Sequence, residues 1–555
     1  MVQKIRRNAK QPCRSLQTLR RVEANTCPEW KFLKDLGPID LRNGMHSMTT
    51  ERILGTSFLT VGSILLSRIL LRTDFQFHSM LLLWRPPRSP PFTRLRPPLP
   101  ILLPPTLLPN IETMKLQILN WSSARTTLAC LALSACSSFG SAEEVKLFNG
   151  KDFSNWHGRS TTDPKTYASL AEEKKVAWNE EIKKHWSIDG EEIVNDGKGA
   201  YLTTNEEYGD FDFAFEYKIV ANCDSGIYLR GIPQVQIWDP DSEASKKHGA
   251  EKGSGGLWNN PAGWAGKDPL VRADNPVGQW NKMKIRLIGE RCSVWLNDKC
   301  VVDHVRLHNY FAKGQPLPTR GPIQLQTHGA EIRFRNLSLN TFNGEEANNL
   351  LAESESKSIG SFQSLFNGKD LTGWAGSVDN YQVDNGAIQC LKGKGGVLHT
   401  DKVYDNFVLR VDFQLPPGGN NGLAIRYPTK EELGSNKDGA YVGMCELQVL
   451  DDGHAKYAKI DPRQAHGSAY GLVAAKRGFL RPAGEWNHQV VRVEGSKINV
   501  ELNGTQILDA DLSTVKEYMA NTPHPGKDRT SGHVGFAGHS DPVRFRNVEI
   551  LPLAK

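Results

Sequence analysis

The chain contains one sequence pattern twice. LFNGKDFSNW begins at Leu147, and LFNGKDLTGW begins at Leu365. The two segments continue in the same order to a shared end, with RFRNLSL at 333–339 and RFRNVEI at 544–550. A repeat this long indicates two copies of one fold rather than a stack of short units. We therefore predict two homologous domains, 143–343 and 362–555, joined by a polar linker at 344–361.

Both copies have the residue pattern of β-strands. Short alternating apolar runs are separated by Gly, Asn, Asp and Pro, which is typical of strands joined by turns. Asn503-Gly504 in the second copy and Asn297-Asp298 in the first indicate hairpin turns. About 200 residues of such strands per copy predict a two-sheet jelly roll. The expected fold class is all-β, with two tandem jelly-roll β-sandwich domains.

The residues before the repeat differ from it in charge. Residues 1–113 contain 17 basic and 7 acidic residues, whereas the rest of the chain contains 51 basic and 54 acidic residues. The repeat therefore lacks the basic character of a nucleic-acid-binding domain. Residues 1–113 show no sustained strand or helix period, so we expect a disordered extension or a start codon assigned too far upstream. The alternative is a membrane anchor at 53–66, but a spanning helix needs roughly 20 residues.

Residues 114–142 have the pattern of a secretory signal peptide. Lys115 and Arg125 precede the apolar and small-residue run TTLACLALSACSSFGSA, as in exported proteins. Cleavage after Ala142 would release a soluble form. Cleavage before Cys136, where LSAC resembles a lipoprotein processing site, would leave a lipid anchor. We expect a periplasmic, secreted or lipid-anchored protein, and a buried apolar helix is the alternative.

Polar residues recur at matching strand positions in the two copies. In FVLRVDFQL (407–415) and FDFAFEYKI (211–219), apolar side chains alternate with polar ones, so the two kinds point to opposite faces. We expect an acid, an arginine and an amide on one face of one sheet. The alternative is a solvated outer face with cross-strand ion pairs. The recurring residues are Glu216 and Asp412, Arg230 and Arg426, and Gln236 and Gln448.

One predicted strand segment carries two candidate carboxylates in the second copy but retains only one of them in the first. Glu446 and Asp451 in ELQVLDD (446–452) are candidates for the two carboxylates of a glycosidase. They have opposite parity on a regular strand and share a face only if a bulge intervenes. The matching QVQIWDP has Gln234 in place of the glutamate and keeps Asp239. A simple retaining mechanism therefore fails in the first copy.

Aromatic and histidine residues near glycine-rich segments suggest a sugar site. Trp258 lies in GSGGLWNN, Tyr470 in HGSAYGL, and Trp486 precedes an asparagine. Flat rings beside polar side chains suit the apolar faces of sugars, although core packing is the alternative for each ring. His328 and His539 each precede the final strand of their copy, but a loop histidine is often only structural.

Taken together, these motifs resemble the 3-keto-disaccharide hydrolase domain family, also described as 3-keto-glucoside lyase/hydratases. The resemblance rests on LFNGKDLTGW, on SGIYLR or NGLAIR, on QVQIWD or ELQVLD, on the GSGG and HGSAYG loops, and on a histidine followed by RFRN. It covers nearly all of 143–555, twice. It implies a concanavalin A-like lectin/glucanase sandwich and cleavage of glycosides already oxidised at C3. Such cleavage proceeds by elimination and hydration and does not need a carboxylate nucleophile.

The resemblance also implies roles for particular residues. In the second copy we expect Glu446 or His539 as base, Arg426 as enolate stabiliser, and Asp451 as acid or metal ligand. Gln448 would orient the substrate, Asp412 would orient Arg426, and Tyr470 and Trp486 would contact the sugar. A divalent metal ion would stabilise an enolate oxygen, but no His or Asp spacing requires one. In the first copy the matching residues are Glu216, Arg230, Gln236, Asp239, Trp258 and His328.

Two other functions fit the same features. A lectin-like sandwich that binds carbohydrate without chemistry is the main alternative, and a conventional endo-glucanase is the second. All three predict an oxidised or ordinary oligosaccharide as the partner, and none involves nucleic acid. A membrane would be involved only through a lipid at Cys136.

Overall fold

The computed structural model describes residues 144–429, 432 and 439–554. These residues form two β-sandwich domains with thirteen described strands in each, distributed over one eight-stranded and one five-stranded antiparallel sheet. The all-β fold predicted from the strand pattern is therefore confirmed. The extension at 1–113 and the signal sequence at 114–142, with Cys136, lie outside the described residues. Within the described part, no helix is long and apolar enough to cross a membrane.

The first domain contains β1 to β13. The eight-stranded sheet consists of β1 (Glu144–Lys146), β3 (Trp186–Asp189), β4 (Glu192–Asn195), β6 (Phe211–Ile219), β9 (Trp280–Ile288), β10 (Arg291–Leu296), β11 (Lys299–Arg306) and β13 (Ile332–Thr341). Its order is β11-β10-β9-β6-β13-β4-β3, with β1 also paired to β13. The five-stranded sheet consists of β2 (Trp156–Arg159), β5 (Tyr201–Thr204), β7 (Asp224–Leu229), β8 (Ile232–Trp238) and β12 (Gln324–Leu325), in the order β2-β5-β12-β7-β8.

The second domain repeats this arrangement strand for strand. Its eight-stranded sheet consists of β14 (Gln363–Ser364), β16 (Tyr381–Asp384), β17 (Ala387–Cys390), β19 (Phe407–Gln414), β22 (Trp486–Glu494), β23 (Lys497–Leu502), β24 (Thr505–Asp511) and β26 (Arg544–Pro552). Its five-stranded sheet consists of β15 (Trp374–Gly376), β18 (Gly395–Tyr404), β20 (Asn420–Tyr427), β21 (Cys445–Leu450) and β25 (Gly532–His539), in the order β15-β18-β25-β20-β21.

The predicted hairpins and inward faces are confirmed. Asn503 and Gly504 both adopt positive φ, and so do Asn297 and Asp298, as a two-residue turn between twisted strands requires. Along β6 and β19, alternate residues are buried between the two sheets of their domain because side chains of a strand alternate between its faces. The buried residues are Phe211, Phe213, Phe215 and Tyr217 in the first domain, and Leu409, Val411 and Phe413, with Leu415 directly after β19, in the second.

The expectation of one polar face shared by an acid, an arginine and an amide is wrong. Glu216 and Asp412 lie on the eight-stranded sheets, whereas Arg426 and Gln448 lie on the five-stranded sheet of the second domain. The two sheets face each other across an apolar core, so their outer faces point in opposite directions. Asp412 therefore cannot orient Arg426.

Four described helices accompany the sheets: α1 (Pro164–Tyr167), α2 (Glu172–His185), α3 (Glu243–Lys246) and α4 (Gly344–Ser358). Helix α4 occupies the predicted linker and is ordered by its contacts. Asn343 and Glu346 form a capping box at its start, which satisfies free N–H groups of the first turn. Leu351 and Ala347 are buried and pack with Ile288 of the first domain. The linker is thus a packed structural element.

The two domains also contact each other through strand ends. The Arg291 guanidinium donates to the Glu501 carboxylate, and the Glu290 amide donates to the Gly504 carbonyl at 2.9 Å. Both contacts join the β9–β10 turn region of the first domain to the β23–β24 hairpin of the second. A partly buried charge-assisted pair and a backbone hydrogen bond fix this orientation more firmly than exposed ion pairs would.

A buried cluster of charges lies beneath α4. His488 on β22 contacts Asp412 through Nδ1 at 2.7 Å and Glu355 of α4 through Nε2 at 3.2 Å. Burial by itself lowers the pKa of His488, but the two carboxylates outweigh it and raise that pKa to about 10. Arg410 and Arg546 face the same carboxylates at 3.5 and 3.4 Å. This cluster attaches α4 to the eight-stranded sheet.

Stability should therefore fall in alkali. A histidine pKa raised from 6.5 to about 10 contributes stability that is complete below about pH 6.5 and is lost as pH rises through about 10. We expect the free energy of unfolding to decrease by up to about 5 kcal/mol over this range. Denaturant unfolding at successive pH values measures it. His488→Gln should flatten the dependence, and an equally steep dependence in that variant would contradict the assignment to this cluster.

Candidate functional site

A cavity of about 500 Å³ lies on the outer face of the second domain's five-stranded sheet. Strands β20, β21 and β25 form its floor, and segments that include Tyr457, Gln464 and His524 form its walls. The described side chains that line it combine aromatic rings with hydrogen-bonding groups, as expected of a sugar site. Those the chemistry depends on are Asn420, Glu446, Gln448, Tyr470 and His539.

Strand alternation places Glu446 and Gln448 together on this face. Cys445, Leu447 and Val449 of the same strand are buried in the core, so the residues between them must point outward. The neighbouring strand leaves room for the glutamate at Gly422. A side chain there would collide with the Glu446 carboxylate. The glycine is therefore required by the position of the carboxylate.

Glu446 is paired with the imidazole of His539. Glu446 Oε1 lies 3.3 Å from His539 Nε2, and the Glu446 side chain is only 8% exposed. The hydrogen bond to Glu446 is the main reason that the pKa of His539 lies above its ordinary value. A carboxylate and an imidazole within hydrogen-bond distance of each other at the floor of a cavity can act as base and acid.

The remaining polar groups are oriented by one another. Gln448 Nε2 donates to Asn420 Oδ1 at 2.6 Å, which fixes both amides. The Tyr470 hydroxyl accepts a hydrogen bond from Gln464 Nε2 at 3.0 Å. That contact uses an oxygen lone pair and leaves the hydroxyl proton of Tyr470 able to donate to a ligand. The sequence-predicted residues Glu446, Gln448, Tyr470 and His539 are thus brought together.

Arg426 does not belong to this cavity. It is almost fully buried at the end of β20, and its guanidinium donates to the carbonyl oxygens of Asp405, Gly495 and Arg529 at 2.7–2.8 Å. All of these acceptors are in loops. The arginine therefore holds loops together, and the enolate-stabilising role predicted for it is wrong.

Three more predicted residues lie elsewhere in the second domain. Asp451 follows β21 and accepts a hydrogen bond from the Gly418 amide at 2.7 Å, so the carboxylate stabilises a loop. Trp486 lies on the eight-stranded sheet with the Arg546 guanidinium 4.1 Å from its ring centre. Asp412 belongs to the buried cluster under α4. None of the three lines the cavity of about 500 Å³.

The first domain has a smaller cavity of about 310 Å³ at the matching place. His328 Nδ1 lies 3.0 Å from Asp224 Oδ2, and Gln236 Nε2 donates to Asp224 Oδ1 at 2.6 Å. Gln234 Nε2 donates to Gln236 Oε1. Trp258 is part of the wall and packs edge-on against Trp238. The predicted residues Gln236, Trp258 and His328 are thus brought together.

The other predicted residues of the first domain lie outside this cavity. Arg230 is buried and donates to the carbonyls of Gly209, Gly289 and Pro318 at 2.9–3.0 Å, in the same way as Arg426. Glu216 pairs with Arg335 on the eight-stranded sheet. Asp239 accepts hydrogen bonds from the backbone amides of Asn222 and Asp241. For these three residues the predicted role in a site is wrong.

Sequence reasoning missed Asp224 and Asn420. Both are the first residue of their strand, and each accepts a hydrogen bond from the glutamine on the neighbouring strand. They directly precede the matching segments SGIYLR and NGLAIR. Extending that alignment by one residue would have shown an acid in one copy and its amide in the other.

The described residues offer little to a metal ion. No group of three or more His, Cys, Asp or Glu side chains in the described ranges could hold one. The divalent metal considered from sequence therefore has no ligand set there, and no step below is assigned to a metal ion.

The fold and the cavities define a class of protein. Each domain is a two-sheet sandwich with a cavity that is lined by a carboxylate, an imidazole, amides and aromatic rings, a combination of apolar surface and placed polar groups that is typical of small-molecule sites. Residues 143–340 and 361–551 match the 3-keto-alpha-glucoside-1,2-lyase-like domain family. The chain belongs to this family, with two tandem copies of its domain, and is a carbohydrate-active, hydrolase-like protein.

The chain is also similar to individual proteins. The 3-keto-disaccharide hydrolase of Bacteroides thetaiotaomicron is 27% identical over 230 residues, which cover 34% of this chain and 77% of the relative. A candidate glycosyl hydrolase from Parabacteroides distasonis is 26% identical, with a TM-score of 0.31, and the match covers 35% of this chain and 100% of that chain. The carbohydrate-binding module CBM66 of Bacillus subtilis is 14% identical, with a TM-score of 0.22, over 32% of this chain and 93% of that chain.

The role of Arg426 can be tested through stability. Arg426→Lys keeps the charge but cannot reach all three carbonyl groups. We expect the free energy of unfolding to fall by about 2–4 kcal/mol because buried acceptors lose their donors. Denaturant unfolding measures the change, with Arg492→Lys as control, since Arg492 is an exposed arginine that pairs with Glu494. An Arg426→Lys variant as stable as the control would contradict the structural role.

Proposed function

We propose that the protein cleaves 3-keto-glycosides by elimination followed by hydration, in the cavity of the second domain. The observation that carries the proposal is the pairing of Glu446 with His539 at 3.3 Å. Among the described residues that line this cavity, Glu446 is the only carboxylate. Acid–base chemistry with one carboxylate suits a substrate whose ketone already activates a neighbouring C–H bond.

The reaction is balanced without any other reagent. A base removes the C2 proton, and the electron pair is delocalised onto the C3 oxygen as an enolate. The enolate expels the C1 oxygen substituent, which takes up a proton and leaves a C1–C2 double bond. Water then adds, its oxygen to C1 and a proton to C2. The net reaction is hydrolysis of the glycosidic bond. Both of its stages, elimination and hydration, require proton transfer.

The geometry suggests a role for each group. We assign Glu446 as the base that removes the C2 proton. The hydrogen bond to Glu446 is the main cause that raises the pKa of His539, and His539 would donate a proton to the departing oxygen. The Tyr470 hydroxyl would donate to the enolate oxygen in place of Arg426, since donors aimed at developing charge lower the barrier. Gln448 and Asn420 would bind sugar hydroxyl groups.

The endo-glucanase alternative fits this cavity less well. Ordinary glycosidases place two carboxylates about 5–10 Å apart on either side of the bond. Asp451, the second candidate, instead accepts the Gly418 amide and lies outside the described lining. The lectin alternative needs the same aromatic and amide groups but no acid–base pair, and the substrate experiment below separates it.

The substrate panel tests the proposal on the full chain. Incubation with 3-keto-trehalose, trehalose and a β-glucan, with and without chelator, should release sugar from the keto-disaccharide alone. In a His328→Ala background, which removes the first domain's imidazole, Glu446→Gln should lower kcat by about 10²–10⁴-fold because the base is lost. Asp451→Asn in the same background is the matched control and should keep activity. Equal cleavage of trehalose, or binding of glucan without cleavage of any sugar, would contradict the proposal.

We also propose that the protein is exported through residues 114–142. The support is sequence alone: a basic start, an apolar core and small residues before Ala142. Expressed in a Gram-negative host, the chain should be recovered outside the cytoplasm and shortened at its N-terminus. If the lipid-anchored form is produced, radiolabelled palmitate should be incorporated and Cys136→Ala should abolish the label. An unprocessed chain in the cytoplasm would contradict export.

A further inference from the structure

We propose that the first domain holds a second catalytic site, in which Asp224 takes the role of Glu446. The inference rests on the proposed function and extends it to a domain that lacks the glutamate of ELQVLDD. At first sight Gln234, which matches Glu446 in the repeat, leaves the first domain without a base. The structure supplies one from the neighbouring strand.

The carboxylate and the amide occupy opposite strands of the adjacent pair in the two domains. Gln236 pairs with Gly226 and Gln448 with Gly422, so the two strand pairs share one register. In this register Asn420 of β20 matches Asp224 of β7, and Glu446 of β21 matches Gln234 of β8. The second domain therefore has an amide on the first strand and an acid on the second. The first domain has the reverse.

The glutamine between these positions is used identically in both domains. Gln236 Nε2 donates to Asp224 Oδ1 at 2.6 Å, and Gln448 Nε2 donates to Asn420 Oδ1 at 2.6 Å. An aspartate and an asparagine present the same oxygen to this donor. The hydrogen bond from the glutamine is therefore the same in both cavities, and only the strand that carries the negative charge differs.

The histidine contacts the carboxylate in each case. His328 Nδ1 lies 3.0 Å from Asp224, whereas His539 Nε2 lies 3.3 Å from Glu446. The imidazole thus uses a different nitrogen in each domain and pairs with whichever strand carries the acid. Each cavity keeps one carboxylate–imidazole pair, although its carboxylate comes from a different strand.

The first cavity also has features of a ligand site. The carboxamide oxygen of Gln326 is buried without a hydrogen-bond partner in the described part of the chain, and this residue lines the cavity. Buried polar atoms are rarely left unpaired, so a sugar hydroxyl is a suitable donor to it. Trp258 and Tyr228 add aromatic faces. Burial is also the main cause that raises the pKa of Asp224 above its ordinary value, which makes a carboxylate a better base near neutral pH.

The proposed step is the one described for the second domain. Asp224 takes the C2 proton of a 3-keto-glycoside, the electron pair passes to the C3 oxygen, and the C1 oxygen leaves. His328 donates the proton that the leaving group takes up. In the hydration step the water oxygen bonds to C1 and the water proton returns to His328, while Asp224 gives its proton back to C2. The substrate class is again a glycoside oxidised at C3.

The experiment uses four forms of the full chain with 3-keto-trehalose: wild type, Glu446→Gln, Asp224→Asn and the double variant. Glu446→Gln should retain measurable turnover, and adding Asp224→Asn should lower that residual turnover by about 10²-fold or more. Asp239→Asn in the Glu446→Gln background is the matched control, because the Asp239 carboxylate accepts from the loop amides of Asn222 and Asp241 and does not line the cavity. Thermal unfolding of each variant shows whether a loss of activity reflects loss of folding.

The outcomes separate this inference from the proposed function. An inactive wild type would contradict the proposed function itself. An active wild type in which Glu446→Gln alone is as inactive as the double variant would overturn only the assignment of Asp224. A second test moves the carboxylate to the neighbouring strand of the second domain, in the His328→Ala background. In that background, adding Asn420→Asp to Glu446→Gln should raise the turnover at least about 10-fold above that of Glu446→Gln without it. No increase would show that the two positions are not equivalent.

Discussion

Each domain depends on one buried guanidinium. Arg426 leaves the sheet at the end of β20 with positive φ and binds three loop carbonyls, and Arg230 does the same at the end of β7. A buried cation is costly unless its donors are satisfied, so these loops can adopt only arrangements that bring their oxygens to the arginine. The strand pair that carries the site is thereby fixed at one end, and its outward side chains have defined positions.

The cavity follows from that strand pair. Alternation along β21 sends Cys445 and Leu447 into the core and leaves Glu446 facing outward. Gly422 on the adjacent strand provides the space for the carboxylate, and His539 approaches from β25. Three neighbouring strands thus bring together one acid, one imidazole and one set of amides. A site built in this way can lose its acid on one strand and regain it on the next, because both strands face the same cavity.

Much of the fold could be predicted from local pattern. Alternation in FVLRVDFQL predicted the buried face correctly, and Asn503-Gly504 predicted a hairpin turn that the backbone adopts. The parity argument that separated Glu446 from Asp451 also agrees with the structure, where Asp451 turns back to Gly418. Prediction failed for Arg426 and Asp412. A polar residue that occurs at the same strand position in both copies indicates a shared feature, but it does not indicate to which of the two sheets the strand belongs.

The sequence alone determined that this protein is two copies of one β-sandwich, because strand periodicity and an ordered repeat are local properties of the chain. It also determined that Gln448 and His539 of the second copy correspond to Gln236 and His328 of the first. Only the tertiary structure decided which residues meet. Asp224 and His328 are 104 positions apart in the chain yet lie 3.0 Å apart in space, because β12 and β7 are neighbours in one sheet. Pairing between distant strands, which no short stretch of sequence records, decides where the acid of each domain lies.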